Sequence, residues 1–183
     1  MTGTDELVRA LAERVTALED KLAILELMTA YGPAIDSGSA DAVARLWTED
    51  GVYDVDTGVM RGHAAITAMV QSQAHQGWIG SGCAHMLEPG HVRVDGDTAV
   101  ATCKSQLIIH DDDGFRVHRI TANRWELAKI DGAWKVTRRV NRLLDGREEA
   151  RTLLAAGVRG GKIRRPTPTW APSRRPDARS CCG

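Results

Sequence analysis

The stretch LMTAYGPAIDSGSADAVARLWTEDGVYDVD, residues 27–56, contains both tyrosines of the chain, Tyr31 and Tyr53. It also places a lone acid, Asp36, at the end of an otherwise apolar helical pattern. A polar group in apolar surroundings costs free energy unless a hydrogen-bonding partner satisfies it. We therefore expect Tyr31 and Asp36 to have partners in the folded chain, and the first candidate is His85.

The composition of the chain is that of one globular domain. Its 183 residues are 43% hydrophobic and 26% charged, with a formal net charge of zero, and this length suffices for a sizeable core. The charge is unevenly distributed, because seven basic residues and one acid lie in residues 159–183. A mildly acidic body gives no general case for nucleic-acid binding. We predict one domain over residues 1–158 and a basic tail over residues 159–183, which we expect to be dispensable for folding.

Several kinds of site and location are disfavoured by the sequence. The four cysteines are too few for a disulfide scaffold, and their spacing resembles no zinc site. No signal-peptide pattern and no membrane-spanning apolar run occurs, so we expect a cytoplasmic protein that does not bind membranes. No dinucleotide fingerprint, phosphate loop or metal-ligand cluster occurs either. The chemistry is expected to use side chains alone, without a cofactor.

The first half of the chain has helical periodicity. Residues 4–30 predict a long helix, with Thr4 as its cap and apolar residues at intervals of three and four. Gly32-Pro33 is expected to disturb this helix, because proline lacks the amide donor. A second helix is predicted over residues 40–47. Gly51 is expected to terminate this helical segment, and a short strand is predicted over residues 52–55. Further predictions are a third helix over 61–73 and a glycine-rich turn at Gly77, Gly80 and Gly82.

From His85 onward the apolar period changes to two, which indicates strands. Turn sequences such as Asp131-Gly132 are typical of hairpins. Helices followed by an antiparallel meander predict the α+β class, with the helices packed on a mostly antiparallel sheet. The predicted strands are residues 86–94, 98–110, 115–127 and 134–143, followed by a short helix over 147–156.

His85 and Asp36 are the main catalytic candidates. An imidazole titrates near neutrality and can act as a general base, and a carboxylate behind it can orient the ring. The alternatives are a strand-end histidine that bonds to backbone and an aspartate that caps the turn after its helix. Tyr31 and Tyr53 could donate hydrogen bonds to a substrate, or be core rings with hydroxyls at the rim.

Other candidates are expected to line a cavity. Arg138 shares strand parity with apolar neighbours and is predicted to point inward, the alternative being an ion pair between subunits. Asn123 and Trp47 are the other two proposed lining residues. His110 ends a predicted strand beside three aspartates, where a plain hairpin-end role is the simpler interpretation.

These motifs resemble a known family. The Tyr-x4-Asp helix end, the Leu-Trp-x3-Gly-x-Tyr segment at residues 46–53 and the Asp-Gly-x-Trp-Lys-Val segment at 131–136 resemble the SnoaL-like branch of the NTF2-like superfamily, over residues 15–145. The combination of Tyr31, Asp36, Tyr53 and His85 is similar to that of scytalone dehydratase, bile-acid 7α-dehydratase and hexachlorocyclohexane dehydrochlorinase.

The resemblance implies a cone-shaped α+β barrel and a cofactor-independent lyase. His85 would be the base with Asp36 behind it, Tyr31 and Tyr53 would be donors, and His110 would match a histidine or aspartate of the dehydratases. A dehydratase acting on a small or medium apolar molecule is the first expectation. A ketosteroid-type isomerase, an epoxide hydrolase and a non-catalytic ligand-binding protein are the alternatives. Such relatives are commonly trimers, and we expect a homotrimer here, with a dimer as second choice.

Overall fold

A computed structural model describes residues 3–159, in which five helices accompany one mixed sheet of seven strands. The helices are α1 (Gly3–Asp36), α2 (Ala40–Arg45), α3 (Gly62–Val70), α4 (Gln73–Ser81) and α5 (Glu148–Arg159). The strands are β1 (Trp47–Val55), β2 (Gly58–Arg61), β3 (Cys83–Leu87), β4 (His91–Asp95), β5 (Thr98–Asp111), β6 (Gly114–Ile130) and β7 (Ala133–Leu143). The predicted α+β class is confirmed.

The sheet is open rather than a closed barrel. Its strand order is β2-β1-β7-β6-β5-β3, and β4 pairs with β5 beside β3. The β1–β7 pair is parallel, and all other pairs within the described residues are antiparallel. The predicted strand over 86–94 is two strands, because Pro89 lies between them and cannot donate to a ladder. The sheet is therefore mostly antiparallel, as expected.

Helix α1 continues through Gly32 and Pro33 to Asp36, so it does not end at residue 30 as predicted. Pro33 removes the bond to the Thr29 carbonyl, but both residues are exposed and water can replace it. The opposite face of the helix is held by burial against the sheet. Its buried side chains include Ile24, Met28, Tyr31 and Ile35. Thr4 lies inside the helix rather than before it.

Three glycines between α2 and β3 lie inside regular elements, where the sequence pattern predicts a helix end or a turn, and Gly51 is the first of them. Gly51 lies within β1 and does not end a helix; a Cβ there would lie 3.0 Å from the Thr48 carbonyl oxygen and 3.1 Å from that of Val136. The pairing of β1 with β7 shifts register between Trp47 and Val52, so Gly51 lies at an irregularity of the strand.

The predicted third helix over 61–73 corresponds to α3, but α3 ends earlier, at Val70, and a separate helix, α4, begins at Gln73. Gly77 and Gly80 belong to α4, and of the three glycines only Gly82 is at a turn, with φ 104°. Ser72 begins α4, because its hydroxyl oxygen accepts a hydrogen bond from the His75 amide. This N-cap stabilises the start of α4, which offsets part of the low helix propensity of its glycines.

The core lies between α1 and the sheet, while α5 packs on β5–β7. The four largest fully buried side chains among the described residues are Trp47, Trp125, Arg139 and Tyr31. Arg159, predicted to begin the tail, is the last residue of α5, and the rest of the predicted tail lies outside the described residues. None of the helices within residues 3–159 is long and apolar enough to cross a membrane.

Candidate active site

Asp36 and His85 meet where the end of α1 lies against the middle of β3. Gly32 makes this close approach possible. A Cβ at Gly32 would lie 2.5 Å from the carbonyl oxygen of His85, a distance that no side chain tolerates. The role of Gly32 is therefore to bring the helix onto the strand that carries His85.

Both oxygens of the Asp36 carboxylate bind His85. The imidazole Nδ1 lies 2.6 Å from Oδ1, and the His85 backbone amide donates to Oδ2 at 2.7 Å. The Cys83 thiol donates to Oδ1 at 3.5 Å. Since a carboxylate oxygen accepts, Nδ1 carries the proton and a neutral ring has its lone pair on Nε2. The arrangement fixes both the tautomer and the orientation of the imidazole, which a general base requires.

The surroundings keep Asp36 ionised and Cys83 protonated. Partial burial alone would raise the pKa of Asp36, but the hydrogen bonds from His85 and its charge lower it below the ordinary value. Burial, together with the charge of Asp36, raises the pKa of the Cys83 thiol to about 11. Cys83 is thus a hydrogen-bond donor to the pair and not a thiolate nucleophile.

The two tyrosines lie behind the pair, in the core. Tyr31 is 2% exposed, and its ring meets the His85 ring edge-on, with the centroids 6.3 Å apart. Burial is the main cause that raises the pKa of Tyr31 above its ordinary value, and the neighbouring Tyr53 is the second. The Tyr31 hydroxyl is therefore protonated and can donate a hydrogen bond at neutral pH. Tyr53 packs on Trp47, with ring centroids 5.5 Å apart. Trp47 is 1% exposed and is a core ring beneath Tyr53.

Arg139, not Arg138, points into the interior. The pairing of β6 with β7 shifts register between Glu126 and Leu127, which reverses the parity of β7 after Val136. Arg138 consequently forms an ion pair with Asp54 of the same chain, and its side chain is 40% exposed. The prediction that Arg138 lines the cavity is therefore wrong.

Arg139 is 2% exposed and is surrounded by aromatic rings. Its guanidinium carbon lies 4.3 Å from the Tyr31 ring centroid, 4.9 Å from that of Tyr53 and 4.1 Å from that of Trp125. Such contacts stabilise a buried cation. Its Nη1 is buried without a hydrogen-bond partner among the described residues. Sequence reasoning missed Arg139, because regular strand alternation places Arg138 on the inner face. Only the register shift before these two residues turns Arg139 inward instead.

Asn123 is fully buried and anchors this arginine. Its side-chain oxygen accepts from Arg139 Nε at 3.0 Å and Nη2 at 2.7 Å, and from Asn141 Nδ2 at 3.1 Å. Its amide donates to the Ser105 hydroxyl at 2.8 Å. Asn123, predicted as a lining residue, has its hydrogen bonds within the protein and holds Arg139 in place.

His110 lies away from the pair, at the exposed end of β5. Its Nδ1 donates to the Ser81 carbonyl at 3.1 Å, and its ring packs on Phe115, with centroids 4.8 Å apart. In β5, the residue that pairs with His85 is Leu107, three positions earlier. These contacts are those of a hairpin-end residue.

Helix α4 contributes two rings that sequence reasoning missed. The His75 ring stacks on the His85 ring, with an interplanar angle of 6° and centroids 6.2 Å apart. Trp78 contacts both His75, at 5.1 Å, and His118 of β6, at 5.4 Å. The signal was a histidine and a tryptophan three positions apart after a serine N-cap, which places both rings on one helical face. The exposed side of His85 is therefore flanked by an aromatic wall.

Acid should destabilise the fold through His75. Burial, with a contribution from His85, lowers the pKa of His75 to about 4 from its usual 6.5. Between these pH values His75 is protonated in the unfolded chain but stays neutral in the native chain. The free energy of unfolding should therefore fall as pH decreases from about 6.5 towards 4. Substituting His75→Gln should flatten this part of the curve, which urea unfolding at several pH values would measure. An unchanged slope would contradict the assignment.

Asp36, Cys83 and His85 are also the residues of the described chain that could together hold a metal ion, since their ligand atoms lie within 4.8 Å of one another. The 2.6 Å between Nδ1 and Oδ1 is shorter than the roughly 3.3 Å between two ligands of a tetrahedral zinc, which follows from the usual bond lengths. A direct hydrogen bond from Nδ1 to Oδ1 accounts for this distance.

Comparisons with known proteins identify the same fold in proteins of one family. The family model of the SnoaL-like domain matches residues 16–140. An NTF2-like protein with a cystatin-like fold, from Novosphingobium aromaticivorans, is 45% identical and superposes with a TM-score of 0.77, covering 79% of this chain and 94% of the other.

Two further structures from the same organism are similar. One, named provisionally as an aromatic ring hydroxylase, is 30% identical with a TM-score of 0.60 and covers 69% of this chain and 90% of its own. The other, named provisionally as a scytalone dehydratase, is 20% identical with a TM-score of 0.60, covers 71% and 87%, and shows the fold alone. A search of curated protein sequences finds no match.

Proposed function

The chain belongs to the SnoaL-like branch of the NTF2-like proteins, and from this premise we propose that it is a cofactor-independent lyase, specifically a dehydratase. The substrate class is a small or medium apolar molecule with a carbonyl group and a β-hydroxyl or another leaving group. The observation that carries the proposal is the Asp36–His85 pair, in which both carboxylate oxygens hold one histidine.

In the proposed reaction, His85 Nε2 removes a proton from the carbon beside the substrate carbonyl. The electron pair of the broken C–H bond forms an enolate, and then a C=C bond as the C–O bond to the leaving hydroxyl breaks. The hydroxyl leaves as water, with the proton that His85 has taken or one from a nearby donor. Asp36 stabilises the imidazolium formed in the first step, and a general base of this kind contributes about 10²–10⁴-fold.

The negative charge that develops on the carbonyl oxygen needs a donor. We assign this role to Tyr31, whose hydroxyl stays protonated in the core, with Tyr53 as its neighbour. Arg139 acts through Tyr31 as a positioning residue, because a cation 4.3 Å from the ring favours negative charge at the phenol. In a site that excludes water these interactions are stronger than in solvent.

The alternatives fare differently. An isomerase would use the same base and enolate and remains the closest second candidate. An epoxide hydrolase of the Asp-Arg-Asp type would need an inward arginine held between two carboxylates. Arg138 is paired with Asp54 on the other face of β7, and the inward Arg139 binds the side-chain oxygen of Asn123 instead of a carboxylate. A ligand-binding protein would need no oriented base, and the pair at 2.6 Å argues against it.

A screen of hydroxylated and halogenated carbonyl compounds tests the proposal. Incubation in D₂O should give deuterium exchange at the carbon beside the carbonyl, because proton removal by His85 is common to elimination and isomerisation. Mass spectrometry then separates the two, since only elimination removes water or halide. Binding of such compounds without exchange or product would favour the ligand-binding alternative.

A further inference from the structure

The first half of α1 is a helix without packing in the monomer. All residues from 3 to 19 are exposed. Its large apolar side chains are 47–66% exposed, namely Leu7, Val8, Leu11, Val15, Leu18 and Leu22. An isolated helix of this length is marginal in water, because helical stability in proteins comes from an apolar face packed on something. The exposed stripe therefore needs a partner.

The spacing of the stripe is that of a coiled coil. Val8, Leu11, Val15, Leu18, Leu22 and Leu25 alternate at intervals of three and four, a continuous a/d repeat of 3.5 residues. The first two a positions are valines, and all three d positions are leucines. β-Branched residues at a with leucine at d favour two parallel strands over three or four.

The flanking charges select a second copy in parallel orientation. In this register Arg14 and Lys21 are g residues, and Glu19 and Glu26 are e residues. In a parallel pair each g residue meets the e residue five positions later on the other helix, so Arg14 meets Glu19 and Lys21 meets Glu26. In an antiparallel pair g meets g and e meets e, which would oppose like charges. All four of these side chains are exposed.

The domain body leaves the seam accessible from Val8 to Leu22, and it partly covers Leu25 at the end of the seam. Asp20 accepts from Lys129 Nζ at 2.7 Å and from Trp134 Nε1 at 2.9 Å, and this ties α1 to the β6–β7 hairpin. Asp20 and the half-buried Leu27 are f positions, which lie opposite the a/d seam. Two bodies would thus lie on the outer sides of the paired helices.

We propose that α1 forms a parallel two-stranded coiled coil with α1 of a second copy of the chain, over residues 8–25. The pairing is self-complementary and needs no other protein. It favours the dimer over the homotrimer that the family resemblance implies.

The mass of the full chain in solution tests the pairing. The parent should sediment as a dimer of the 19.9 kDa chain, and Leu18→Glu, which puts a charge at a d position, should halve the mass at micromolar concentration. The matched control Ala17→Glu puts the same charge one residue away, at an exposed c position, and should leave the dimer intact. Circular dichroism and thermal unfolding would verify that the body of each variant is folded. A monomeric or trimeric parent, or equal masses for the two variants, would overturn the proposal.

The orientation is tested by cross-linking. In a parallel pair the d residues face each other, so Leu18→Cys should give a disulfide-linked dimer on mild oxidation, whereas Ala17→Cys should not exceed the parent. The parent chain measures the background from its native cysteines. Equal cross-linking at both positions, or none at residue 18, would rule out the parallel seam.

Discussion

Replacing His85 by alanine should reduce kcat by about 10²–10⁴-fold and change KM little, because the imidazole acts on the reacting proton rather than on substrate affinity. Asp36→Asn should give a large loss as well. It keeps the shape of the side chain but removes the charge that orients Nδ1–H and stabilises the imidazolium. The measurement is steady-state turnover of a substrate found by the carbonyl-compound screen.

The two losses should be non-additive. Because Asp36 acts through His85, the double variant should be little slower than His85→Ala alone. His91→Ala is the matched control, since His91 is exposed on β4, away from α1's end, and it should retain parent activity. If His85→Ala and Asp36→Asn both keep near-parent turnover, the lyase proposal fails and a ligand-binding function takes its place.

The juxtaposition of Asp36 and His85 could be anticipated because a lone acid at an apolar helix end requires a partner. The sequence offered a histidine near the start of the sheet, and the family resemblance pointed to the same residue. The extent of the helices around proline and glycine residues was harder to predict from the sequence. Proline and glycine are typical helix breakers, yet Pro33 lies within α1 and Gly77 within α4, because tertiary packing can override intrinsic helix propensity.

The arginine shows a different limit. Strand parity correctly places Trp134 and Val136 in the core, but a one-residue irregularity in β7 moves every later side chain to the opposite face. Nothing in the local sequence marks that irregularity, which is visible only in the pairing of β7 with β6. Arg138 and Arg139 are chemically identical, so only the register could decide between them.

Gly32 leads to the second large effect. Substituting Gly32→Ala should destabilise the fold by about 1–3 kcal/mol, the usual cost of forcing extra volume into a packed site. The new Cβ would lie 2.5 Å from the His85 carbonyl oxygen, and a backbone atom cannot rotate away. Helix α1 and strand β3 must then separate, which should lengthen the contact of Asp36 with His85.

Turnover should therefore fall together with stability, although Gly32 has no side chain to offer a substrate. Gly77→Ala is the matched control within α4, because a Cβ there meets nothing within 4 Å. It should stabilise the chain by about 0.5–1 kcal/mol, since alanine loses less conformational freedom in a helix. Urea unfolding and turnover of both variants check the prediction. A Gly32→Ala protein as stable and active as Gly77→Ala would show that α1 need not lie this close to β3, and that the close approach does not hold the catalytic pair together.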